Sequence, residues 1–197
     1  LAQEFNPDQA SMHPIAGLGR NQNRPAGSFV GGWSQESILY CTDCHAGTGI
    51  VTGNESPHGS PFLHLLQGTN DYITKIDPAD SCNSVDGCPQ IHDPGELCFK
   101  CHQFGTYASG INPASTTQFK DGGENLHAFH SFTACYTCHD THGSEQAHLL
   151  NFDTSVATIL EGYDSQTAWS WDQATGTGTC YVSCHGAYHG PGFNYTP

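Results

Sequence analysis

The stretch Cys135-Tyr136-Thr137-Cys138-His139-Asp140-Thr141-His142 decides how the rest of this chain is read. It sets two cysteines three apart with a histidine directly after the second. On a helical turn both sulfurs then lie on one side, with the imidazole beside them. Working outward, the same pattern stands at Cys41-Thr-Asp-Cys44-His45 and at Cys98-Phe-Lys-Cys101-His102. It stands once more, with one extra residue between the cysteines, at Cys180-Tyr-Val-Ser-Cys184-His185. Of the 10 cysteines only Cys82 and Cys88 remain; they close a short polar loop and read as a structural disulfide.

Cys-x-x-Cys-His is the attachment motif of c-type haem: the two thiols bond the porphyrin and the histidine becomes an axial ligand of its iron. The expected cofactors are therefore four covalently bound c-type haems, with His45, His102, His139 and His185 as proximal ligands. Zinc knuckles are the rival reading, since Cys-x-x-Cys pairs also bind zinc, but zinc does not require a histidine after each pair. For Cys180 and Cys184 an ordinary disulfide is a further alternative.

The second axial position separates the function classes, because an enzyme keeps it open and an electron carrier fills it. Met12 is the only methionine, whereas nine histidines stand outside the motifs. Pairs of histidines are thus the economical ligand set. His142, three residues after His139, projects to the same side, so it should reach a neighbouring iron rather than its own. Hydrogen bonding to a propionate is the alternative for it. His127 and His130, in Asn125-Leu126-His127-Ala128-Phe129-His130, should serve different irons if both ligate. His58 follows the first motif on a turn and is another distal candidate. His64, His92, His148 and His189 read as surface or hydrogen-bonded residues.

Composition bounds the partners. The 197 residues carry 5 Lys+Arg against 19 Asp+Glu, a formal charge of −14, which leaves nothing for a nucleic-acid backbone to meet. No apolar run approaches the roughly 18 residues of a membrane helix. The cysteine count and the start at Leu1 suggest an exported, processed product, extracellular or at the cell surface, with the periplasm as the alternative. Residues 1–40 hold no motif and read as a haemless arm containing His13; residues 41–197 read as the tetrahaem domain. Successive proximal histidines are spaced too unevenly for a structural repeat. The expected fold has few secondary structures: mostly irregular coil with short α-helices, wrapped around a core of four stacked haems. Thr154 to Leu160 has some strand character.

Leu97-Cys98-Phe99-Lys100-Cys101-His102, Asn125 to His130, and Cys135 through Cys138-His139-Asp140-Thr141-His142-Gly143-Ser144 together resemble multihaem c-type cytochromes of dissimilatory metal-respiring microbes. Size and haem count most resemble the extracellular cytochrome nanowires of the OmcE type. That resemblance implies an electron carrier and not an enzyme, with stacked bis-histidine haems and subunits polymerised head to tail. It also implies one distal histidine supplied across the subunit joint, for which His13 on the arm is the candidate. Redox proteins and an external acceptor are the implied partners; a discrete periplasmic shuttle and an oxyanion reductase are the rivals.

Overall fold

The computed structural model describes residues 5–15, 17–20, 24, 27–46, 60, 63–67, 92–108, 117–172, 174–175, 177–184, 186–191 and 194–195. Its regular structure is mostly β, which corrects the expected coil with haem-wrapping helices. The strands are β1 (Ser11–Met12), β2 (Lys120–Asp121), β3 (Glu124–Asn125), β4 (Gly143–Ser144), β5 (Thr158–Ile159), β6 (Trp169–Asp172), β7 (Thr177–Cys180), β8 (Val182–Cys184), β9 (Ala187–His189) and β10 (Asn194–Tyr195). Three α-helices of one turn each complete it: α1 (Cys41–Cys44), α2 (Phe104–Tyr107) and α3 (Leu126–Phe129).

All pairing is antiparallel, in four small sheets: β1-β4, β2-β3, β10-β7-β6 and β5-β8-β9. The β-rich part lies after residue 157, where Thr158, Ile159, Trp169, Trp171, Thr177, Thr179 and Val182 supply branched and aromatic side chains suited to a pleated surface. Between β2 and β3, Gly122 and Gly123 have φ of 55° and 94°, the tight hairpin geometry that glycine adopts without strain. Opposite Tyr195, Gly178 leaves the ring its room: a Cβ there would lie 1.9 Å from the Tyr195 Cζ. Tyr195 is held in place by Trp169, whose indole N–H donates to its hydroxyl at 3.1 Å.

The chain also builds a core of its own. Phe152, Ala157, Ala168 and Val182 are buried together, and Cys138, Cys180 and Cys184 pack against them. The expectation that haems alone form the core is thereby corrected for the C-terminal part: the two three-stranded sheets give apolar side chains a shared face to bury. The described parts of residues 5–40 are stitched to the later chain. Ser11 pairs with Ser144, Val30 N–H donates to Cys101 O at 2.9 Å, and Gln103 N–H donates to Ser28 O at 3.0 Å. Among the described residues no helix is long and apolar enough to cross a membrane.

Candidate functional site

Three of the cysteine motifs fold alike. α1, the 3-10 turn Leu97–Lys100 and the 3-10 turn Cys135–Thr137 each carry their thiols on one turn. In each, the motif histidine donates its backbone N–H to the carbonyl of the first cysteine: His45 to Cys41 at 2.7 Å, His102 to Cys98 at 2.9 Å and His139 to Cys135 at 3.0 Å. The i to i−4 bond closes one helical turn and brings the imidazole beside the thiols. The fourth motif differs, because Cys180 ends β7 and Cys184 ends β8. His185, His58, Cys82 and Cys88 lie outside the described residues.

Each described motif histidine faces a second imidazole from a distant segment. His45 stands 6.2 Å from His142 between ring centres, His139 stands 6.2 Å from His127, and His102 stands 6.4 Å from His13. His130 faces His189 at 6.2 Å. The partners are set by local structure. Asp140 Oδ1 accepts from the backbone N–H of His142 at 2.8 Å and of Gly143 at 3.3 Å, an Asx turn that swings His142 away from its own motif. Asn125 caps α3 by accepting from His127 N–H, and its amide donates to Thr106 O at 2.8 Å, tying α3 to α2. His13 arrives through the β1-β4 pairing, where its N–H donates to His142 O at 3.1 Å. His13, the candidate for a ligand across subunits, thus faces a histidine of its own chain.

His102, His127 and His139 are held neutral, and several of the rings are oriented. Burial, reinforced by the neighbouring His13 and Arg24, pulls His102 down to about 3. Burial also pulls His127 to about 3 and His139 to about 4. Several rings donate Nδ1–H to a backbone carbonyl: His45 to His64 O at 2.8 Å, His139 to His148 O at 2.9 Å, His130 to Leu126 O at 2.8 Å and His13 to Thr141 O at 2.6 Å. This fixes the tautomer, with the proton on Nδ1 and the lone pair on Nε2. Tyr107 stands edge-on to both His102 and His127, and Phe119 stands edge-on to His127.

The thiols of successive motifs are electrostatic neighbours. Cys44 senses Cys98, Cys98 hydrogen-bonds Cys135, and Cys138 senses Cys180 and Cys184. Burial raises Cys101 to about 11 and Cys180 to about 12, and Cys138 rises further, so these groups are neutral thiols.

The expected set of four iron-haem centres is corrected here. Among the described residues, no group of three or more His, Cys, Asp or Glu side chains could hold a metal ion. The physical reason lies in the arrangement above: the imidazoles meet in twos, one short of such a group. A fourth centre on His185 falls outside the described residues.

No family model, curated protein or solved structure matches the chain.

His92 belongs to none of these pairs. Its Nδ1 meets Glu96 Oε2 at 2.7 Å and its Nε2 meets Thr133 O at 2.9 Å, so both nitrogens face acceptors. Burial opposes protonation, but the Glu96 hydrogen bond and charge outweigh it and raise the pKa. A histidine raised in the fold contributes stability that is complete below its ordinary value of about 6.5 and is lost as pH rises through the folded value. His92→Ala should therefore cost about 1.5–3 kcal/mol below pH ~6.5 and progressively less above it. Chemical denaturation of both proteins across this pH range measures the gap; a gap that widens with pH would reverse the assignment.

Two units escaped the sequence reading. His189 had no distinguishing context. The run His-Gly-Ser-x-x-x-His-Leu-Leu, by contrast, occurs twice, at 58–66 and 142–150, and only the spacing between motif histidines hid it.

Proposed function

We propose that the chain is an electron-transfer protein and not an enzyme, holding redox-active groups between paired imidazoles. One observation carries this: three pairs, each joining a motif histidine to a histidine from another segment, stand 6.2, 6.2 and 6.4 Å apart. When bound, such a group supplies a one-electron couple.

The chain's own residues do the rest. Thiols on one turn offer two anchors beside each motif histidine. An imidazole on either side leaves no open position for a substrate, which argues against the reductase reading, as does the charge of −14 against anionic substrates. Backbone carbonyls hold the rings of His45 and His139, and aromatic rings flank His127 and His102. Thiols of successive motifs are neighbours, which supports hopping from one site to the next.

An exported filament at the cell surface is part of the proposal. His13 faces His102 of its own chain, an observation that favours the discrete shuttle as the second reading. By sequence register alone, His58 is the counterpart of His142, whose ring faces the histidine of another motif. A filament would draw on His58 in that role. Native protein should show low-spin ferric spectra typical of two imidazoles per iron, and filaments in negative-stain electron microscopy that His58→Ala abolishes. High-spin spectra would sink the electron-carrier reading, and monomeric particles would leave the shuttle.

A further inference from the structure

Among the described residues, four that are not glycine have φ in the left-handed region: His64 at 59°, Leu65 at 58°, His148 at 62° and Leu149 at 60°. They form two copies of one turn, each with two consecutive left-handed residues, a conformation L side chains avoid. Strain of this kind persists only where the surroundings impose it. Here the surroundings are also duplicated. His45 bridges to Leu66 and His139 bridges to Leu150. Gln67 N–H donates to Cys44 O at 2.7 Å, and Asn151 N–H donates to Cys138 O at 2.9 Å. Ser60 Oγ donates to Leu66 O at 2.6 Å, and Ser144 Oγ donates to Leu150 O.

We infer that these two turns are a duplicated positioning device, in which the His64 and His148 carbonyls fix the motif rings of His45 and His139. His64 and His148 act through their backbone. The two left-handed residues point the histidine carbonyl back at the motif, where it accepts Nδ1–H at 2.8 and 2.9 Å. The hydrogen bond gives each motif imidazole partial imidazolate character and makes its Nε2 a stronger donor toward whatever lies between it and its partner ring. Among the described residues, no carbonyl does this for His102, so the two served sites are set apart from the third. As it concerns redox tuning, the inference rests on the electron-transfer reading above.

The test uses the full chain as isolated, with His148→Gly and His148→Pro. Glycine adopts the left-handed turn without strain and keeps the carbonyl, whereas proline is locked near φ of about −65°. With glycine, the Nδ1–H resonance of His139 by nitrogen-15 NMR should be unchanged, and no midpoint potential should move. With proline, that resonance should be lost and one site's potential should shift upward, the others staying put. If the proline variant does not fold, His148→Val, β-branched and poorly suited to the turn, should move both readouts in the same direction. Equal effects of glycine and proline, or none with proline or valine, would overturn the proposal. Isolated protein with no redox couple would instead sink the functional reading, and the NMR readout would still decide the positioning role.

Discussion

Phe152→Ala should cost the protein about 3–5 kcal/mol, the range for removing a buried aromatic side chain from a packed core. Phe152 is 6% exposed and is by far the largest member of a cluster whose other buried residues are Ala157, Ala168 and Val182. Two of those three are alanines without reach, so the space Phe152 leaves cannot be refilled. The backbone resists collapse as well. Phe152 N–H donates to Ser165 O at 2.8 Å, and Ala168 N–H donates to Asp164 O at 2.9 Å, fixing both walls. For a chain of this size the loss corresponds to about 6–20 °C in Tm. A thermal melt followed by circular dichroism measures it. A loss under about 1 kcal/mol would mean that the C-terminal sheets do not depend on a side-chain core, as the sequence reading had it.

That correction shows where sequence was informative. The three regular motifs were legible because a spacing of three residues is a helical turn, and the bond from the histidine N–H to the first cysteine's carbonyl follows from it. The helical turn expected to carry His142 beside His139 is absent: His142 follows the Asp140 turn instead, and its ring stands by His45. Of the strands only β5 was legible, inside the stretch from Thr154 to Leu160 that carries strand character. β6 and β7 were not: they are four residues each, shorter than any window in which alternation can be seen. Nor was the meeting of His13 with His102, which depends on the β1-β4 pairing of Ser11 with Ser144 across more than half the chain. The turn shared by His64 and His148 was visible as a repeated string, but its meaning, a carbonyl aimed by left-handed backbone, appears only in three dimensions.

His127→Gly should have the largest functional effect, because it removes one ring of the most enclosed pair and leaves His139 facing an empty place. His127 is half-buried, stands 6.2 Å from His139 and is walled edge-on by Tyr107 and Phe119. The vacated space has the shape of an imidazole, and the aromatic walls belong to α2 and to the segment before β2, not to α3. Under the electron-transfer reading, one site's low-spin spectrum should become high-spin. Electron throughput should fall by at least about 10–100-fold, the loss typical of disturbing even an outer-shell partner. Added free imidazole should restore both. Glycine within α3 costs about 1 kcal/mol relative to alanine, so His127→Ala separates helix destabilisation from loss of the ring. His130→Gly, in the pair with His189, provides the comparison: it should leave the His139 site unchanged. An unaltered spectrum in His127→Gly would remove His127 from the ligand set. Failure of imidazole to rescue a folded variant would mean that the ring acts by packing, through Tyr107 and Phe119, and not by its lone pair.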